Sequence, residues 1–160
     1  MNIKGKKDFF ENKLDKIQYV DLGLSVLWAD RNVGAESPID YGNYFDWNDV
    51  KRNKFICPTI ESIYELVNDC KWEWITTDGV SGYNVIGKNG NNIFLPASGV
   101  FYEEIDTVLG LNKESAYFSC ASIYYFDSPY TLNINSERYG LESQFDYVCS
   151  SVRLVRPYFD

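Results

Sequence analysis

Histidine is missing from all 160 residues, and methionine occurs once. Without histidine the chain has no side chain that titrates unperturbed near neutral pH. The usual general base and the commonest metal ligand are therefore both absent. The four cysteines, Cys57, Cys70, Cys120 and Cys149, form no C-x-x-C pair, so the spacing of a structural zinc site is lacking too. They are read as buried reduced thiols, with a Cys120–Cys149 disulfide as the alternative. Positive charge is scarce: 15 Lys and Arg face 23 Asp and Glu, for a net charge of −8. That balance disfavours partners held by phosphate neutralisation, so neither nucleic acid nor an anionic membrane is expected. The only basic cluster is Lys4, Lys6 and Lys7. No apolar run approaches the roughly 20 residues of a membrane span, which predicts no membrane insertion, and residues 1–20 carry no apolar core of a secretory signal.

What is abundant is aromatic: 13 Tyr, 10 Phe and 4 Trp make up 17% of the chain. One core of this size needs fewer, so some tyrosines are expected at the surface, where a large ring with a polar tip suits recognition. The length fits a single domain, read here as residues 18–160 behind an N-terminal extension at 1–17. Within the extension Phe9, Phe10, Leu14 and Ile17 have the spacing of a short amphipathic helix, able to dock on the domain, on a second copy or on a virion partner. No internal repeat or linker interrupts the remainder. Residues 19–28 are rich in strand formers around Gly23 and predict one or two strands. Ser37–Trp47 opens with a capping serine and a proline, which predicts a short helix. The clearest helix is Pro58–Cys70, with Thr59 as N-cap and Ile60, Ile63, Tyr64, Leu66 and Val67 at helical spacing. Asn89-Gly90, between Gly82–Lys88 and Asn91–Leu95, predicts a hairpin through a type I′ turn with both residues at positive φ. Short strands are expected at Ala116–Ser119 and Tyr130–Ile134, and a final one at Ser151–Arg156 with Val152 and Leu154 on one face.

Several of these stretches together resemble a known family. They are Tyr19-Val-Asp-Leu-Gly-Leu-Ser-Val-Leu-Trp-Ala29, Asn32-Val-Gly-Ala35, Tyr41-Gly-Asn-Tyr-Phe45, Pro58-Thr59 with Glu65-Leu66 and Cys70, the run from Gly79 to Ala97, and Ser151-Val-Arg-Leu-Val-Arg-Pro157. In this order they resemble the Fibrobacter succinogenes major paralogous domain of gut Bacteroidetes and their phages, over residues 19–157. The resemblance implies an α+β, C-type-lectin-like fold, with mainly antiparallel short strands, one or two helices, pairing of the first and last strands, and a long irregular ligand-display region. Related folds carry the variable proteins of diversity-generating retroelements and some phage receptor-binding tips. This chain has Phe118 and Cys120 in a segment where the family usually has Tyr-Trp-Ser-Ser, and Ile63 where a Trp is usual. The implied location is a phage virion or the cytoplasm, or outside the cell if a leader has been removed.

Residues 117–147 are the strongest candidate for function. Their 31 positions hold six Tyr, five Ser, two Asn, two Asp and no Lys, a paratope-like mixture of aromatic anchors and small polar groups. The predicted ligand-binding residues are Tyr124, Tyr125, Phe126, Asp127, Tyr130, Asn133, Asn135, Arg138, Tyr139 and Tyr147, with inward packing of about half of them as the alternative. The predicted role is a non-catalytic recognition module for a protein or glycan on a bacterial surface, without cofactor, metal or catalytic residues. Its rival is a structural virion component whose aromatic surface is buried between subunits. Three other features are read as structural. Trp47-Asn48-Asp49 lacks the partner motif needed to complete a calcium shell. The acids Glu103, Glu104 and Asp106 are read as an acidic loop rather than an acid/base pair. Trp72 and Trp74 share a strand side and are read as a core edge rather than a sugar platform.

Overall fold

The computed structural model describes residues 13–123 and 127–159. The predicted helix therefore lies largely outside the described residues. Its described end shows residues 13–14 helical, and Ile17 N–H donates to the Leu14 carbonyl at 3.2 Å. Leu14 and Ile17 pack against the cluster of Phe45, Trp47, Val50, Phe118, Val152 and Leu154.

The architecture is α+β, built from short antiparallel strands in small sheets with two helices among the described residues. Strands β1 (Tyr19–Val20) and β2 (Leu27–Ala29) pair through the turn that Gly23 permits. Here the predicted strand pair holds. Residues 30–44 follow without a regular element, so the helix expected at Ser37–Trp47 is absent there. It is displaced to α1 (Trp47–Asn53), because Asp46 and Asp49 form a reciprocal capping box that starts the helix at Trp47. Helix α2 (Ile60–Asp69) starts as predicted: the Thr59 hydroxyl accepts from Ser62 N–H at 3.0 Å. Its Ser62, Ile63 and Leu66 are buried, while Tyr64 remains half-exposed.

Strands β3 (Lys71–Thr77), β4 (Val80–Ile86) and β5 (Asn92–Pro96) form an antiparallel meander. The β4–β5 hairpin is where the sequence put it, but the turn is different. Only Gly90 takes a positive φ, +87°, and its N–H donates to the Gly87 carbonyl at 3.0 Å. Asn89 stays out of the left-handed region because its side chain is occupied. Its Nδ2 donates to the Asp21 carbonyl at 2.8 Å and its Oδ1 accepts from Asn91 N–H, tying the hairpin to the β1–β2 connection. Gly87 has no room for a side chain there, since a Cβ would sit 2.2 Å from the Leu22 carbonyl oxygen.

Strands β6 (Val100–Tyr102) and β7 (Thr107–Leu109) flank a 3-10 turn at Glu103–Ile105. The third sheet is β8 (Glu114–Ile123), β9 (Ser128–Asn135) and β10 (Tyr139–Ser143) in the order β10-β9-β8. The segment predicted to carry the ligand surface is thus mostly regular sheet. At the C-terminus only Val155–Arg156 forms a strand, β11, and it pairs with β2. Residues 149–151 reach the fold through isolated bridges instead: Cys149 with Phe101, Ser150 with Phe45, and Ser151 with Tyr117. Val152 and Leu154 are buried in the same cluster, as their alternation predicts.

The main core joins α2, β4, β5 and the inner face of β8–β10 through Ile63, Leu66, Val85, Leu95, Tyr117, Leu132 and Ile134, with Trp28 of β2 completing it. Arg153 is fully buried beside that core. Its guanidinium donates to Asn32 Oδ1 at 2.8 Å, the Ala29 carbonyl at 3.0 Å and the Phe94 carbonyl at 2.7 Å. Desolvation lowers its pKa to about 10. No described helix is long and apolar enough to cross a membrane.

Candidate functional site

Register decides which residues of the third sheet share a face. Tyr117 pairs with Leu132, Ser115 with Ile134, Tyr139 with Ile134, and Leu141 with Leu132. This set faces the core. The alternate set, Glu114 with Asn135, Ala116 with Asn133, and Gly140 with Asn133, faces the other way because successive strand side chains alternate. Opposite it stands β6, where alternation turns Val100 and Tyr102 toward the sheet and Phe101 toward Tyr44 and Cys149. Between them lies a cleft of about 230 Å³.

The cleft is strongly polar. Asn133 donates through Nδ2 to Glu142 Oε2 at 2.9 Å and accepts at Oδ1 from the Thr131 hydroxyl at 2.6 Å. Arg138 reaches Glu142 at 3.7 Å, a loose and exposed ion pair that adds little energy. The Asn135 carboxamide oxygen accepts from the N–H groups of Glu137 and Arg138, which shapes the β9–β10 turn and presents Arg138 at the rim. Glu114 and Gln144 line other parts of the wall. Gly140 leaves the floor open, since an added Cβ there would meet nothing within 4 Å.

Of the predicted residues, Asn133, Asn135, Arg138 and Tyr139 come together at this cleft. Tyr139 lines it while its ring is stacked on Trp72 at 4.1 Å with 3° between planes. The same cluster accounts for Trp72 and Trp74, both of which meet Tyr83 edge-on. They form a core edge, as read from the sequence. Tyr130 shares its strand face with Leu132 and Ile134 and is half-buried. Asp127 stands apart, beside α1, where it accepts from Trp47 Nε1 at 3.0 Å and from Lys51 Nζ at 2.6 Å. The Lys51 contact, followed by Trp47, holds its carboxyl below the usual range. Tyr147 is 59% exposed and lies parallel to the 64%-exposed Phe145 at 5.4 Å. Tyr124, Tyr125 and Phe126 lie outside the described residues.

Composition and spacing pointed to the tyrosines, and so passed over Tyr102, Glu114, Glu142, Gln144 and Gly140. Glu142 and Gly140 belong to the segment and carry the same strand alternation as Asn133, so that signal was available. Tyr102 comes from β6, and only tertiary packing brings it in.

A second cavity, of about 240 Å³, adjoins the first across Tyr102 and is lined by Asp46, Tyr102, Glu103, Glu104, Ile105 and Tyr147. At its edge the donor atoms of Asp46, Glu103 and the buried Cys149 lie within 4.8 Å of one another, donor types that could hold a cation. The Cys149 thiol lies 3.6 Å from Glu103 Oε1. Cys149 thus points at a carboxylate and is not bonded to Cys120: all four cysteines are free thiols. Cys120 sits beside the Cys57 segment, its N–H donating to the Pro58 carbonyl at 2.9 Å, and burial pushes the Cys57 thiol well above its ordinary pKa. Asp49 of the Trp-Asn-Asp triplet is taken up by the α1 cap and by Arg52.

No family model, curated protein or solved structure matches this chain.

Proposed function

We propose that this chain is a non-catalytic recognition module that binds a ligand on a bacterial surface, protein or glycan, at the polar cleft between β6 and the outer face of β8–β10. The observation that carries this reading is the cleft lining: carboxamides and carboxylates mostly on strand positions and a guanidinium on the β9–β10 turn, flanked by Tyr102. Such a set offers paired donors and acceptors to the hydroxyls of a sugar, with an aromatic ring at the edge for its apolar face. Asn133 keeps one of its two N–H bonds for a ligand after serving Glu142. The lining therefore favours a glycan. The fold behind it is proposed to be C-type-lectin-like and of the Fibrobacter succinogenes major paralogous kind. Two features support this: the terminal strand β11 joins the N-terminal strand pair through β2, and the Gly79–Ala97 stretch forms a core hairpin.

The exposed Phe145–Tyr147 stack favours a second reading, a structural part of a virion or surface assembly that buries these rings between subunits. The deciding experiment is a glycan-array and bacterial-cell binding screen of the wild type, Asn133→Ala and Gly140→Phe, with size-exclusion light scattering on each. Gly140→Phe projects into the cleft from a position where an added Cβ meets no protein atom within 4 Å. Ligand binding by a monomer, lost in both folded variants, is the expected result. No binding, together with a stable assembly of the wild type, overturns it in favour of the structural part.

A further inference from the structure

Strand β8 is irregular where it passes the connection between α1 and α2. Phe118 pairs with Thr131 and the next ladder pair is Ser122 with Pro129, so residues 119–121 bulge out of the sheet. The Ser119 hydroxyl accepts from Ala121 N–H at 3.1 Å within this bulge. Cys120 turns away from β9, and its N–H donates instead to the Pro58 carbonyl at 2.9 Å. Cys57 immediately precedes Pro58 and is buried in the same cluster as Phe118. Cα atoms facing each other across a strand-like hydrogen bond lie about 5.5 Å apart, which is the span of a disulfide. Cys57 is one residue removed from that position, in a stretch that belongs to no helix or strand. Closing the pair therefore asks for a small shift in an irregular segment and leaves α1, α2 and β8 intact. Burial, and after it the nearness of Cys120, raises the Cys57 thiol above its ordinary pKa. The two sulfurs also differ in access, since Cys120 is exposed and Cys57 is buried. The other two thiols stand elsewhere: Cys149 faces Glu103, and Cys70 is the C-cap of α2.

We infer that Cys57 and Cys120 are a redox pair, with Cys120 the entry thiol and Cys57 the resolving one, which a small-molecule disulfide converts into an internal disulfide. The exposed Cys120 thiolate attacks one sulfur of the small disulfide, breaking its S–S bond and releasing one small thiol, which carries away a proton. Cys57 then loses its proton and attacks the Cys120 sulfur of the mixed disulfide. The Cys57–Cys120 bond forms and the second small thiol leaves with that proton. Two electrons pass from the two protein thiols to the oxidant, and no other co-reactant is needed. The bond ties the α1–α2 connection to the β8 bulge and closes a loop that contains α2 and β3 to β7. The inference stands whether or not the polar cleft binds a glycan, because the residues of β8 that line the cleft, Glu114, Ser115 and Ala116, lie at the other end of the strand.

The test is oxidation of the folded full chain with glutathione disulfide, followed by alkylation of the remaining thiols, intact mass and peptide mapping without reduction. The expected result is a monomer lighter by two hydrogens, with one cross-linked peptide pair carrying Cys57 and Cys120. Cys57→Ala stops at the glutathione adduct on Cys120, Cys120→Ser forms no cross-link, and Cys149→Ser behaves as the wild type. The oxidised form melts about 5–15 °C above the reduced one, because a bond that closes a long loop restricts the unfolded chain. A wild type that ends as a lasting mixed disulfide on Cys120, as a dimer joined through Cys120, or with Cys120 bonded to Cys149 overturns the inference. So does an oxidised form that melts below the reduced one, since its bond would then have formed at the expense of the fold. The wild-type peptide map decides by itself, so a Cys57→Ala variant that fails to fold leaves the test intact.

Discussion

Arg153 shows how far one side chain can organise this molecule. Its guanidinium is buried from solvent and bridges three segments through the carbonyls of Ala29 and Phe94 and the carboxamide of Asn32, with the Tyr117 ring 6.0 Å away. Among the described residues no carboxylate forms an ion pair with it, though Asp30 attracts it from farther off; the charge survives there because its donors end on well-placed oxygens. Replacing it by leucine leaves those oxygens buried and unmatched. Arg153→Leu is expected to destabilise the chain by at least about 3 kcal/mol, read as a lower urea midpoint at unchanged slope. Arg153→Lys does little better, because a single ammonium cannot reproduce a fork aimed at three acceptors. The sequence placed Arg153 only as one residue of a terminal strand. Its burial depends on partners that are up to 124 positions away in the chain.

At the scale of elements, α2 was legible because two independent local signals agree. Thr59 supplies the cap, and Ile63 and Leu66 supply the buried stripe. Thr59→Ala should cost about 1 kcal/mol, the usual value of a lost N-cap. Leu66→Ala should cost about 2–5 kcal/mol, because it opens a cavity between α2 and the inner face of the sheet. Both are read by thermal or denaturant unfolding, and the ranking is the prediction: a cap loss above the core loss would mean that α2 is held mainly by its end. The helix expected at Ser37–Trp47 did not form because a serine and a proline only permit a start. The reciprocal Asp46–Asp49 box offers a better one nine residues later. The Asn89-Gly90 turn departed from type I′ for a related reason, since the Asn89 side chain has a tertiary partner in the Asp21 carbonyl.

For the whole molecule, the abundance of tyrosine has a consequence at high pH. Burial pushes the Tyr44 and Tyr117 hydroxyls up, and the hydrogen bond to Asp21 raises Tyr158 to about 12. A phenol whose folded pKa lies above its unfolded value of about 10 contributes stability that is complete below pH 10 and is lost as pH rises through the folded value. Arg153 acts in the opposite sense, because its folded pKa is depressed and rising pH relieves its burial. Burial raises Tyr19, Tyr41 and Tyr83 as well, and six tyrosines against one arginine predict a net loss of stability between about pH 10 and 12. The measurement is a melting temperature followed against pH together with tyrosinate absorbance. A flat melting temperature through that window would show that these hydroxyls titrate without unfolding the chain.

Composition by itself determined that this chain is acidic, rich in aromatic side chains and without histidine. Local pattern determined α2, the β4–β5 hairpin, the N-terminal strand pair, and the burial of Val152 and Leu154. These follow from signals a few residues long, such as caps, alternation and turn formers, and such signals act whatever the rest of the chain does. Only the tertiary structure decided which side chains share a cavity. Asn133 and Arg138 look like any polar residues of a Tyr/Ser-rich segment until β10 pairs with β9 and β6 closes over them. Tyr102, Asp46 and Tyr147 are up to about a hundred positions apart in the sequence and meet because β6 bridges to Cys149 while Phe45 bridges to Ser150. Long-range pairing of this kind leaves no local trace, since its energy is shared among residues that no sequence window contains.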